Sequence, residues 1–248
     1  MKAALNLLDQ KGPLSGKDFM IAAGLDTFQA WKLCAGSEEI ITHIIGRRYL
    51  RLDQKVEGYA RLSPSIMREF LNYTVVGLVK NQAAIEALAK RLEKEIANIS
   101  KKKINLARET IQRLFENHPE RDHIINQTCF LIAGDVVFGM AHAEPRPEAS
   151  TGELVKGSDL DIIVIADDLP VQILEDLDAL IYREKYNLLM NPVSKEELDY
   201  IVKDLHTVEK QLQFADFKAM VASKILHEGQ FLYGSEKIYD RVKQRLID

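Results

Sequence analysis

The chain has 248 residues, enough for one large or two small domains, and with 46% hydrophobic and 28% charged residues it can bury a core and need not be disordered. A formal charge of −4 and a pI near 5.9 exclude a polycationic nucleic-acid binder, and the two distant cysteines indicate neither a disulfide framework nor a zinc site. We expect a soluble cytoplasmic protein, because the sequence has no signal-peptide core and no apolar run of the roughly 18 residues that a membrane span needs.

Residues 1–62 have the pattern of three short helices followed by a hairpin. Ser15 is a candidate N-cap and Gly24 a candidate stop for the second helix, and a third helix begins at Asp26 or Thr27 and ends at Gly36. Two β-rich runs, residues 40–45 and 49–52, flank Gly46-Arg47-Arg48 and predict the hairpin.

This order of elements resembles a winged helix-turn-helix domain. The resemblance places residues 27–35 in the recognition-helix position and implies that Arg47 and Arg48, at the wing tip, contact DNA phosphates. Residues 1–62 contain nine Lys/Arg and seven Asp/Glu, a net charge of +2 that is small for a DNA-binding surface. A domain that only contacts other proteins remains the alternative.

Residues 63–120 are predicted to form a helical linker. Ser63 and Pro64 begin it, and apolar residues near heptad spacing continue to about Leu114. Lys101-Lys102-Lys103 indicates a solvated face or a break between helices. A long amphipathic helix of this kind either docks on a neighbouring domain or pairs with its copy in a homodimer.

Residues 121–248 alternate between strand and helix patterns and predict an α+β domain with a mixed sheet and a helical C-terminal tail. A strand closes on Gly134-Asp135, a short helix candidate follows, and residues 144–158 are predicted to be a loop. A β-branched strand follows from Asp159, then a helix, a strand over residues 197–204, and helices to the end.

Asp159 and Asp161 are the strongest chemical signal in the sequence. Side chains alternate along a strand, so these two carboxylates lie on one face, about 6–7 Å apart. Like charges this close favour a cation between them, and Mg²⁺ prefers carboxylate oxygens and bridges to substrate phosphates. The alternative is that aspartates gather at the start of a strand through turn preference alone.

The Gly134 turn and this carboxylate pair together resemble the nucleotidyltransferase superfamily typified by DNA polymerase β, and more narrowly its minimal and kanamycin-type members. Residues 132–135 and 158–162 occupy the places of the family's phosphate turn and of its Asp-x-Asp strand, and the resemblance extends over about residues 124–234. It implies that an NTP is the substrate, that Gly134, Asp135 and Ser158 bind the nucleotide, and that Asp159 and Asp161 hold Mg²⁺.

The sequence departs from the family pattern in the phosphate turn. Asp135 stands where the family has Ser or Gly, so a negative charge faces the expected triphosphate unless the metal or Lys156 offsets it. Twenty-four residues separate Gly134 from Asp159, about twice the usual spacer, which predicts an inserted loop.

The family's third carboxylate lies on a neighbouring strand. Asp199 is the first candidate, in the role of the base that deprotonates the acceptor hydroxyl, and Asp204 is the second. If the segment ending at Asn191 is the neighbouring strand instead, the third acid is missing.

Two functions follow from these patterns. One is a Mg²⁺-dependent enzyme that moves NMP from an NTP to a hydroxyl of a protein or small molecule; minimal members of the family often pair with a toxin. The other is a winged-helix transcriptional regulator with a catalytically degenerate, nucleotide-sensing domain.

Overall fold

The computed structural model describes residues 1–46, 64–148 and 150–247, with only the backbone of residues 64–67. The chain divides into two compact units, unit 1 over residues 1–97 and unit 2 over residues 98–248. The division falls inside a long helix, whereas the sequence predicted boundaries at residues 62 and 120. The predicted α+β class with a mixed sheet is confirmed.

Unit 1 contains helices and a three-stranded sheet. Its elements are α1 (Lys2–Lys11), β1 (Leu14–Ser15), α2 (Gly16–Ala23), α3 (Thr27–Ala35), β2 (Ile40–Ile44), α4 (Pro64–Tyr73), β3 (Thr74–Leu78) and the first part of α5 (Gln82–Leu114). The predicted caps are confirmed: the Ser15 side chain accepts from the Asp18 N–H, Asp26 forms a capping box with Gln29, and Gly24 ends α2 in the left-handed region at φ 64°.

The sheet of unit 1 corrects the prediction of continuous helix after Ser63. β3 lies within that segment and pairs antiparallel with β2, with Ile40 opposite Leu78. The strand predicted to pair with β2, residues 49–52, and the predicted DNA contacts Arg47 and Arg48 lie outside the described residues. All five residues of β3 are buried, because the β-branched run packs between β1 and β2.

Unit 2 is built around a four-stranded mixed sheet in the order β8-β7-β4-β9, in which β7 and β8 are parallel and the other pairs are antiparallel. Its elements after α5 are α6 (Arg121–Gln127), β4 (Thr128–Ala133), β5 (Pro145–Pro147), β6 (Leu154–Lys156), β7 (Leu160–Ala166), α7 (Val171–Met190), β8 (Leu198–Asp204), α8 (Leu205–Gln211), α9 (Phe217–Glu228), β9 (Gln230–Gly234) and α10 (Glu236–Arg245).

The alternation of side chains along β7 gives the sheet two buried faces. Leu160, Ile162 and Val164 pack in one core with residues of α5 and α7. Ile163 and Ile165 pack in a second core with residues of α8, α9 and α10. Asp161 alternates with Leu160 and Ile162 and therefore lies on the second face, at the end where β7 begins.

Several local predictions for unit 2 need correction. The predicted loop contains a two-stranded ribbon, β5–β6, and Glu148 accepts hydrogen bonds from Ser150 and Thr151 in the turn that joins the strands. The helix expected after Asp135 is a single 3₁₀ turn. Residues 230–234 form β9 and interrupt the predicted helical tail.

The lysine run in α5 is only partly solvated. Lys101 and Lys102 are exposed, but Lys103 is buried. Its ammonium group pairs with the buried Glu196 carboxylate and donates to the Lys156 carbonyl, so α5 is joined to β6. None of the described helices is both long and apolar enough to cross a membrane.

Candidate active site

Three carboxylates converge at the start of the parallel strand pair. One oxygen each of Asp159, Asp161 and Asp199 lies within 4.8 Å of the other two, and all three residues are partly buried. Asp161 lies opposite Asp199 in the β7–β8 register, so the two face the same side of the sheet. The structure thus brings together the predicted Asp-x-Asp pair and the preferred third acid.

Gly134 lies directly against this cluster. It follows β4, whose last residue, Ala133, is opposite Asp161 in the antiparallel register. Its backbone has φ 79° and ψ −162°, a region essentially confined to glycine, and a Cβ atom at this position would collide with Asp161 Oδ2. The glycine therefore allows both the turn and the position of the central carboxylate.

The position of Asp161 in the cluster raises the pKa of its carboxyl group. Burial, followed by the charges of Asp159, Asp135 and Asp199, raises the pKa of Asp161 to about 7, while Arg146 acts in the opposite direction. A carboxyl group in this position is stabilised by a proton or by a cation. Carboxylate oxygens are ligands that Mg²⁺ prefers, so the residues present fit the metal that the sequence predicts.

Two of the predicted nucleotide-binding residues contact each other. The Ser158 hydroxyl donates to Asp135 Oδ2 at 2.5 Å and accepts from the His142 N–H at 3.0 Å. Gly157 precedes it at φ 61°, where a Cβ atom would collide with the His142 carbonyl. These contacts fix the turn after β4 against the segment that leads into β7.

The other predicted candidates lie elsewhere. Lys156 is exposed, and its ammonium group donates to the Val193 carbonyl at 2.5 Å. Asp204 caps α8 by accepting from the Thr207 N–H. The segment before Asn191 is helical, part of α7, so β8 is the strand beside β7 and carries Asp199.

Three charged residues beside the cluster were missed by the sequence reasoning. Arg146 Nη1 lies 2.7 Å from Glu197 Oε2, and Nη2 lies 3.3 Å from Asp159 Oδ2. Lys185 Nζ lies 2.7 Å from Asp199 Oδ1. Glu197 carried a usable signal, since Glu197-x-Asp199 repeats the spacing of Asp159-x-Asp161 on a second strand. Arg146 carried none, because it stands between two prolines in a segment without periodicity.

Two adjoining clefts open on the face of the sheet that carries Asp161 and Asp199. The first, of about 280 Å³, is lined by Gly134, Asp161 and Asp199 together with apolar residues of β7 and β8. The second, of about 350 Å³, is lined mainly by apolar residues, with Phe217 and Val221 of α9 in its wall, but Lys203 and Lys218 also line it. The two clefts have three residues in common: Ile163, Ile201 and Ile225.

Comparison of the chain with protein-family models, with curated proteins and with solved structures gives no match.

Proposed function

We propose that the protein is a Mg²⁺-dependent nucleotidyltransferase that moves NMP from an NTP to an acceptor hydroxyl. The observation that carries the proposal is the convergence of Asp159, Asp161 and Asp199 beside Gly134. Three carboxylates and a glycine turn from three strand ends give oxygen ligands for a divalent cation and an open backbone beside them. No other cluster of this kind occurs in the described residues.

Each residue of the site has its own role in the proposed reaction. Asp159 and Asp161 hold the metal, which when bound neutralises charge on the triphosphate and polarises its α-phosphorus. Gly134 lets the triphosphate approach the backbone after β4. Asp199 accepts the proton of the acceptor hydroxyl, whose oxygen forms a bond to the α-phosphorus as the bond to the β-phosphate oxygen breaks and pyrophosphate leaves. Lys185, at 2.7 Å, holds the Asp199 carboxylate in position.

The apolar cleft gives the acceptor a place beside the base. It adjoins the acidic cleft through Ile201, two residues after Asp199 on β8. Its floor comes from β7 and β8 and its wall from α9, so a hydroxyl group at Asp199 leaves room for an apolar body next to it.

Transfer of radioactive phosphorus from the α-position of each NTP, in a cell extract with Mg²⁺, tests the proposal. We expect the wild-type protein to label an acceptor and release pyrophosphate, and the Asp159→Ala/Asp161→Ala double variant to do neither. Asp122→Asn, which changes an exposed carboxylate at the start of α6, is the matched control and should label as well as wild type. Equal labelling by the double variant would exclude the proposed site.

The order of elements in unit 1 favours a second candidate, DNA binding by a winged helix-turn-helix regulator. Three helices precede β2, and Asp26 forms a capping box at the start of α3. Residues 1–46 contain four Lys against five Asp/Glu, so this candidate depends on Arg47, Arg48 and other residues outside the described ranges. Fluorescence anisotropy with random-sequence duplex DNA tests it: the Arg47→Gln/Arg48→Gln variant should bind more weakly and with a shallower salt dependence.

A further inference from the structure

Arg146 presents a guanidinium group in which one nitrogen is hydrogen-bonded, a second is ion-paired, and a third faces the carboxylate cluster. Nε donates to the Gly157 carbonyl at 2.8 Å, and Nη1 forms an ion pair with Glu197 Oε2 at 2.7 Å; that carboxylate oxygen is itself buried without a hydrogen-bond partner among the described residues. Nη2 is buried and has no hydrogen-bond partner among the described residues; it lies 3.3 Å from Asp159 Oδ2. Arg146 therefore has a buried donor that is aimed at a proposed metal ligand.

The contact between Nη2 and Asp159 is electrostatic rather than a formed hydrogen bond. Charge-assisted N–H···O bonds are typically about 2.7–2.9 Å long, shorter than the 3.3 Å found here. A buried donor without an acceptor destabilises the protein unless a ligand supplies one. The planar guanidinium matches phosphate oxygens, and Mg²⁺ held by these carboxylates would bring substrate phosphates to this side of Arg146.

The ribbon that carries Arg146 is fixed independently of the cluster. Arg146 is paired with Val155 across β5 and β6, between Pro145 and Pro147. The Glu148 carboxylate closes the turn by accepting from the Ser150 and Thr151 N–H groups. With Nε and Nη1 engaged as well, Nη2 can exchange one acceptor for another without movement of the strand.

We propose that Arg146 is a phosphate-binding residue that acts as an internal counter-ion until substrate arrives. In the metal-free protein its charge balances Asp159 and Glu197. With metal and nucleotide bound, Nη2 donates to a non-bridging oxygen of the triphosphate while Nε and Nη1 keep their contacts. The inference rests on the proposed nucleotidyltransferase site and adds a residue to it that comes from the inserted segment between Gly134 and Asp159.

Removal of the Arg146 charge should have opposite effects on two affinities, that of the metal-free protein for a metal ion and that of the metal-bound protein for phosphate. Arg146→Gln takes a cation away from the carboxylates, so Mn²⁺ alone should bind several-fold more tightly. The same change removes a charged donor to phosphate, so tripolyphosphate with Mn²⁺ should bind about tenfold more weakly. Both affinities are measured by calorimetry on the full chain at mildly alkaline pH. Tripolyphosphate has no base or ribose, so a loss against it places the contact on the phosphate chain.

Three further variants make the test decisive. Arg146→Lys keeps the charge and should restore the Mn²⁺ affinity of wild type while recovering only part of the tripolyphosphate affinity. Arg183→Gln, at an exposed position on α7, should change neither. Asp161→Asn tests the site itself: if it leaves Mn²⁺ binding unchanged, the proposed function fails, and the inference about Arg146 fails with it.

If Asp161→Asn abolishes Mn²⁺ binding, the Arg146→Gln results decide on Arg146 alone. Unchanged tripolyphosphate binding would overturn the inference. A parallel loss of Mn²⁺ and tripolyphosphate binding would also overturn it, because that result assigns Arg146 a structural role.

Discussion

Gly134 directly follows β4, Asp161 lies on the antiparallel neighbour β7, and the hydrogen side chain of the glycine leaves the space that Asp161 Oδ2 enters. Any larger side chain at position 134 would collide with that oxygen. The central carboxylate of the cluster and the turn beside it therefore depend on one another.

Gly134→Ala should disrupt both the turn after β4 and the position of the Asp161 carboxylate. The backbone at φ 79°, ψ −162° is strained for alanine, and the collision with Asp161 adds to that strain, so we expect a loss of about 2–3 kcal/mol in the free energy of unfolding. Mn²⁺ affinity should fall as well, because Asp161 must move.

Gly139→Ala is the matched control. Gly139 also has a positive φ, 70°, but a Cβ atom there meets nothing within 4 Å. We therefore expect a loss of only about 1 kcal/mol in the free energy of unfolding and an unchanged Mn²⁺ affinity. Denaturant unfolding and calorimetry measure the two quantities, and equal effects of both variants would refute the steric argument.

The pH dependence of stability should report on Asp161. Its pKa is raised from 3.8 to about 7 in the folded protein, first by burial and then by Asp159, Asp135 and Asp199. The folded state thus binds more protons than the unfolded state between these two values. The metal-free protein should lose stability as pH rises from about 4 to about 7 and change little from this source above that.

Asp161→Asn removes the titrating group. At mildly alkaline pH and without metal, the variant should be more stable than wild type by roughly 2–4 kcal/mol, with a weaker pH dependence between about 4 and 7. Urea unfolding across this range, in the presence of a chelator, measures the difference. A variant that is less stable than wild type at alkaline pH would contradict the placement of Asp161 among three carboxylates.

Lys103 and Glu196 form a buried pair whose side chains are 5% and 11% exposed. Lys103→Met leaves the carboxylate without its cation and removes the donor to the Lys156 carbonyl, so the free energy of unfolding should fall by about 3–5 kcal/mol. Lys103→Met/Glu196→Leu should recover much of that loss, because neither charge remains buried. Lys102→Met, at the exposed neighbour, should be within about 0.5 kcal/mol of wild type. A similar small effect at both lysines would show that Lys103 is solvated after all.

The carboxylate site was predictable because it depends on the period of a strand. Asp159 and Asp161 stand two residues apart before an apolar run, and alternation alone places them on one face. The sequence also predicted a strand at Asp199. The position of that strand beside β7, however, comes from the parallel pairing of β7 and β8, which local patterns do not encode.

The incorrect sequence predictions also arise from contacts between residues that are distant in sequence. β3 and β9 lie in segments with helical spacing, and both become strands through pairing with residues distant in sequence. Lys103 was indistinguishable from Lys101 and Lys102 because its partner Glu196 is 93 residues away. Arg146 reaches the cluster only through the β5–β6 ribbon, whereas Lys156, which by sequence could offset the Asp135 charge, donates to the Val193 carbonyl.

Calorimetric titration of the full chain with each NTP, with Mg²⁺ and again with a chelator, tests the central claim most directly. The nucleotidyltransferase account predicts that at least one NTP binds with Mg²⁺, that the chelator abolishes binding, and that the Asp159→Asn/Asp161→Asn variant does not bind while Asp122→Asn does. Binding that is unchanged by the chelator or by the double variant, or no binding of any NTP by the folded protein, would contradict it.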